Sequence, residues 1–166
     1  MSGRERSGTA EGLRRAFDRG FALPARPPRQ DTVSLLAIRL AGAPAALRVL
    51  DTLGLMAAPR IVPVPSRRPE LLGIAGVRGA VVPIYGLARL LGHGEDGDAR
   101  WIVLAGERDR VGLAFSVFER HLVVPAHDVR EPAQGAPAHV SEVLCAGSDV
   151  RPVLSVTSLL RAITAG

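Results

Sequence analysis

From Thr32 onward the chain alternates short apolar runs with breaks of glycine, proline and charged residues. Runs of strand length bounded by turn formers indicate an all-β domain. The pattern predicts strands near 33–40, 45–50, 60–64, 72–77, 80–85, 101–106, 110–117, 120–125, 142–147 and 150–155. Two segments instead follow helical spacing, Leu87–Leu91 and Val156–Ile163, the second with Leu159, Leu160 and Ile163 as its buried stripe. That many strands in roughly 130 residues exceeds one small barrel, so two packed barrels or a sandwich are expected.

The most informative stretch is Leu71–Gly92, LLGIAGVRGAVVPIYGLARLLG. Glycines at 73, 76 and 79 punctuate β-branched runs, and a single charge, Arg78, precedes the last of them. Glycine supplies backbone angles and close approaches that other residues resist, so the block reads as two strands and a tight turn. It holds no nucleophile, acid–base pair or metal-ligand set, which points to a scaffold or binding module. Arg78 itself admits two readings, a structural clamp on carbonyls or an outward anchor for a partner.

Residues 1–31 differ in composition, being rich in Arg, Gly, Ser and Pro and ending in LPARPPRQD. They read as a tail and linker preceding a domain over 32–163. Within the tail, Leu13, Ala16, Phe17 and Phe21 share one helical face near 9–20 with Thr9 as a cap, so a short amphipathic helix stands beside the reading of a mostly disordered tail. The N-terminus lacks the apolar core of a secretory signal, and no run approaches the roughly 18–20 apolar residues that span a bilayer. A cytoplasmic protein without direct membrane insertion is therefore expected.

Charge narrows the functional reading without redirecting it. All 21 basic residues are arginine, which removes the Walker A lysine and any lysine Schiff base. The net charge of +5 invites a basic small-barrel protein that binds nucleic acid. Seven arginines against four acids fall in residues 1–31, leaving a nearly balanced domain, and aromatics are only 4% of the chain, too few for a base-stacking platform. No nucleic-acid partner is expected. Cys145 stands alone, so no internal disulfide forms.

The remaining signals have bland readings. Gly92-His93-Gly94-Glu95-Asp96-Gly97 satisfies G-x-G-x-x-G, but it follows a helical stub and places acids where a phosphate would sit, so a solvated loop is expected. His93, His121, His127 and His139 lack metal-ligand spacing and an ordered serine and carboxylate partner. The expectation is no enzyme, no cofactor, no metal and no catalytic residue.

The block Gly73-Ile74-Ala75-Gly76-Val77-Arg78-Gly79-Ala80-Val81-Val82-Pro83-Ile84 resembles the signature of CheW-like domains, G-[VI]-x-N-L-R-G-x-[VI]-[VI]-P-[VI]-x-D-L-R. Leu35–Leu40, Ala46–Leu55, Trp101–Leu104, Val111–Phe115 and Val153–Leu160 resemble the family's other elements in order. The resemblance implies two intertwined five-stranded SH3-like β-barrels with short helices and a C-terminal helix. It implies a non-enzymatic chemotaxis adaptor that joins the helical cytoplasmic tip of methyl-accepting chemoreceptors to the regulatory domain of a CheA-type histidine kinase, recruited to receptor arrays. By the same resemblance the receptor groove falls at Leu53, Leu55, Gly73, Ile74, Val77, Arg78 and Gly79. An accessory CheW-like scaffold of a non-flagellar or receptor-only system is the alternative, motivated by departures from the family pattern. Acids of that pattern become Arg48, Gly54, Gly86 and Ser116, its arginine becomes Ala88, and its asparagine becomes Gly76. Loss from both ends of a pair implies that an internal salt bridge was dropped, a nearly neutral change when both partners go.

Overall fold

The computed structural model describes residues 31–57, 60–107 and 110–165. Residues 1–30, and with them the segment near 9–20, lie outside the described residues. Among the described residues eleven strands form two sheets. In chain order they are β1 (Thr32–Leu40), β2 (Ala43–Arg48), β3 (Gly54–Ala57), β4 (Leu71–Val77), β5 (Ala80–Gly86), β6 (Trp101–Ala105), β7 (Val111–Phe115), β8 (Val117–Pro125), β9 (Val129–Arg130), β10 (Val140–Ala146) and β11 (Asp149–Leu154). Helix α1 (Leu87–Leu90) follows β5, and α2 (Val156–Ala165) follows β11.

The middle of the chain makes the five-stranded sheet β3-β6-β7-β5-β4, and its two ends make the six-stranded sheet β8-β1-β2-β11-β10-β9. The sheets are therefore interlocked. One residue, Ser116, separates β7 of the first from β8 of the second. Each sheet contains one parallel pair that closes a crossover, β5 with β7 and β2 with β11.

Period-2 patterning explains how so short a chain builds three cores. Along β6 and β7, Val103, Ala105, Val111, Leu113 and Phe115 face a shared core with Leu36, Ile38 and Leu47 of the other sheet. Their neighbours Ile102, Leu104 and Ala114 face the other way, against Val77, Val82 and Ile84 of the same sheet. Both faces are buried because the sheet curls on itself, with Ile61 and Ala99 of the adjoining loops packed against the second cluster. Leu35, Ala46, Val124, Leu144 and Val153 fill the six-stranded sheet in the same manner.

Helix α2 closes the shared core with Val156, Leu159 and Ile163. A ten-residue helix is marginal alone and needs fixed ends. The Ser155 hydroxyl accepts the Ser158 amide at its start, and Arg68 donates to the carbonyls of Ala162 and Ile163 at its end.

The all-β class, the two sheets and the C-terminal helix agree with the sequence. Three details differ. The 60–64 run makes a single bridge, Val62 to Ile74. Pro63 and Pro65 lack donors and stop a ladder there. Strand β3 was not expected, because Gly54 interrupts its apolar run. The two-residue β9 raises the second sheet from five strands to six.

Candidate partner-binding surface

Strands β4 and β5 are joined by the two residues Arg78 and Gly79, with φ of 49° and 81°. Positive φ at both central positions is the signature of a type I′ turn, whose twist matches that of the flanking strands. Gly79 adopts it freely, whereas arginine in the left-handed region is uncommon. The turn holds Arg78 at the exposed tip of the hairpin. Its guanidinium reaches across to β3, where Nη2 lies 3.6 Å from the point a Cβ at Gly54 would occupy. Among the described residues the guanidinium has neither a hydrogen-bond acceptor nor a carboxylate partner, so nothing there makes it a clamp on carbonyls. Exposed apolar side chains adjoin these elements: Leu53 is 43% exposed, Leu50 88% and Val81 71%.

The seven residues named from the sequence divide by depth. Leu53, Arg78 and Gly79 are exposed, and Leu55 and Ile74 are half-buried. Val77 is buried inside the five-stranded sheet. Gly73 is also buried, and the backbone approaching it is the chain's own: a Cβ there would collide with the Val62 carbonyl and stand 2.9 Å from the Pro63 Cα. Gly73 and Val77 thus lie beneath the surface, and Leu55 packs partly against the shared core between the sheets, on the opposite face of β3 from the Arg78 guanidinium.

Three of the six positions that depart from the family pattern come together. Gly86, Ala88 and Ser116 line one cleft of about 300 Å³. Charge has been rebuilt beside it on the neighbouring loop. Arg89 pairs with Glu95 at 3.0 Å and donates to the Pro69 carbonyl at 2.8 Å, while Asp96 accepts the Ser116 amide at 3.0 Å. The Gly92–Gly97 loop therefore tethers the Ser116 junction through Asp96. Arg48 has acquired its own partner, gripping Glu142 through two bonds of 2.6 Å, and those hydrogen bonds outweigh burial to raise its pKa.

Sequence reasoning missed two features. One is the ion cluster on β8, β11 and β1. Arg151, only 5% exposed, donates to Glu119 at 2.8 Å and to Asp149 at 2.8 Å, and these carboxylates also hold Arg39 and Arg120. Hydrogen bonding from Arg151, assisted by Arg39, holds the Glu119 carboxyl below its ordinary value despite burial. No local motif signals a cluster assembled from strands that are distant in sequence. The other is an apolar groove of about 970 Å³ among β2, β11, the end of α1 and residues 132–140, lined by Leu40, Leu90, Val143, Val150 and Leu154 among others. Among the described residues no cluster has metal-ligand composition, and no helix is long and apolar enough to cross a membrane.

Comparison with known proteins agrees with this architecture. The family model of the CheW-like domain matches residues 34–164. Among solved structures, the scaffolding protein TtCheW from Thermoanaerobacter tengcongensis superposes with a TM-score of 0.70 at 16% identity, covering 78% of this chain and 92% of that one. Comparison with curated proteins by sequence gave no match. With the family's elements present in order over nearly all of the described residues, the chain belongs to the CheW-like domain family.

Proposed function

We propose that the protein is a non-enzymatic adaptor that couples methyl-accepting chemoreceptors to a CheA-type histidine kinase at membrane-associated arrays. The observation that carries this reading is the outward, unpaired Arg78 on a rigid turn beside exposed Leu53, within a CheW-like fold. An arginine among apolar side chains on a fixed scaffold is the composition of an interface hot spot. An amphipathic receptor helix would lay its apolar anchors on Leu53 and the half-buried Ile74, with Arg78 fixing its register. Gly79 leaves room for the helix backbone, and Gly73 and Val77 hold the surface from beneath.

Removing the guanidinium tests this directly. Arg78→Asn suits the left-handed backbone and is expected to weaken capture of receptor signalling fragments about tenfold, equivalent to about 1.4 kcal/mol. The thermal midpoint should stay within about 2 °C, as for a surface change. A large fall in midpoint with binding intact would return Arg78 to a structural role.

An adaptor needs a second surface. The apolar groove on the six-stranded sheet lies on other elements than the Arg78 turn, and we assign the kinase regulatory domain to it. Val150 is 57% exposed and lines the groove. Val150→Asp would place a charge among apolar side chains there. It should reduce pull-down of the genome's own CheA-like kinases severalfold while receptor capture is unchanged. Equal loss of both, or of neither, would contradict the assignment.

A further inference from the structure

The walls of the apolar groove are held unequally. Its floor is made of paired strands, β2 with β11 and β11 with β10. The wall at the end of α1 is bolted down. There the His93 amide donates to the Ala88 carbonyl at 2.9 Å, Arg89 bonds Pro69 and Glu95, and the Asp96 carboxylate takes the amides of both Ala41 and Ser116. A second wall is residues 132–138, which contribute Pro132, Ala133, Ala136, Pro137 and Ala138 to the lining. They belong to no strand or helix, and most of them are exposed. The Ala136 amide donates to the Ala133 carbonyl at 3.2 Å, closing a turn around Gly135, whose φ is 86°. Among the described residues, every hydrogen bond tying this segment to the rest of the domain falls at its end. The Val140 amide donates to the Pro137 carbonyl at 3.0 Å, and the Ser155 amide to the His139 carbonyl at 2.8 Å. The Ser158 hydroxyl of α2 donates to the Ala138 carbonyl at 3.4 Å and lies 2.9 Å from His139 Nδ1. Residues 132–136 rest on the groove through apolar contact alone.

We infer that residues 132–138 are a strap that swings out to admit the occupant of the groove and then closes against it. The contact of Ser158 with Ala138 and His139 is the pin that keeps the empty strap seated. The inference rests on the assignment of the kinase regulatory domain to this groove and adds how that site is gated. Local opening proceeds through segments with few backbone bonds to their surroundings and little buried surface. Those are the features of one wall only. Pro132 and Pro137 fix φ near either end, so the strap moves as a unit and bends at its ends. The pin sets the balance between the two positions, because one hydrogen bond shifts a local equilibrium by up to about tenfold. On the bolted wall the loss of any one bond leaves the others in place.

Hydrogen–deuterium exchange on the full chain reads the strap without any partner. In the wild-type protein the amides of residues 133–139 should exchange well before those of β10 and β11. Ser158→Ala keeps the Ser158 amide bond to Ser155, and with it the start of α2. It should speed exchange of the strap about tenfold while β10, β11 and residues 88–93 are unchanged. His139→Ala should act in the same direction and add little in the double variant. A strap that exchanges as slowly as β10, or a Ser158→Ala variant in which α2 loosens as much as the strap, would overturn the inference. Stopped-flow binding of the regulatory domain of a CheA-like kinase from the same genome supplies the second reading. Ser158→Ala should raise the association rate severalfold, and the bound domain should protect the strap from exchange. Binding with an unprotected strap and an unchanged association rate would remove the gate and leave the kinase assignment standing. Failure of the domain to bind wild-type protein would remove the kinase assignment and, with it, the gating of that site.

Discussion

Gly73→Ala is expected to destabilise the domain by about 3 kcal/mol or more, lowering its thermal midpoint by roughly 10 °C. Two effects combine. The residue has φ of 148°, where a side chain is strained, and its missing Cβ is the space through which the backbone of residues 62 and 63 passes. Both obstructing groups are backbone, and Val62 is held in place on either side, donating to the Ile74 carbonyl at 2.8 Å and accepting its amide at 2.9 Å. The neighbour cannot yield without breaking that bridge. Gly76 is the internal comparison: it sits three residues along the same strand, exposed, with nothing within 4 Å of a Cβ and no positive φ. Gly76→Ala should be neutral or stabilise by up to about 1 kcal/mol, since alanine loses less entropy in a strand. Calorimetry on the two variants reads the contrast, and equal midpoints would show that the crossing at Gly73 is not rigid.

That contrast also marks where the sequence could be read. The two glycines look alike in LLGIAGVRG, and both suggest close approach or a turn; only the register of the 61–64 segment over β4 shows that Gly73 faces the chain's own backbone. The turn at Arg78 and Gly79 was legible because two apolar runs flank a pair of residues short enough for only a tight hairpin. The shared core was legible from period-2 alternation in WIVLA and VGLAF. Strand β3 was not, because Gly54 breaks the apolar run and the strand exists by pairing with β6, some fifty residues away. Gly54 was visible as a departure, but its nearness to the Arg78 guanidinium depends on β3 reaching the tip of a hairpin with which it shares no local sequence.

Arg151→Met is expected to cost about 3 kcal/mol at neutral pH, at the low end for removing one partner from a buried ion cluster. The low end applies because Glu119 keeps Arg39 and Asp149 keeps Arg120, so neither carboxylate is left alone. Acid supplies a second reading of the same cluster. The folded pKa of Glu119 is depressed below the ordinary glutamate value, chiefly by its hydrogen bond from Arg151. A depressed carboxylate contributes stability that is fully present above its unfolded value and disappears as pH falls through its folded value. In Arg151→Met most of that depression is lost, so less stability remains to be titrated away. The difference in midpoint between wild type and variant should therefore be constant from pH 7 to about 5 and narrow steadily below pH 4.5. A difference that holds constant down to pH 3 would mean that Arg151 acts through packing of its aliphatic stem, with the pairing to Glu119 contributing nothing measurable.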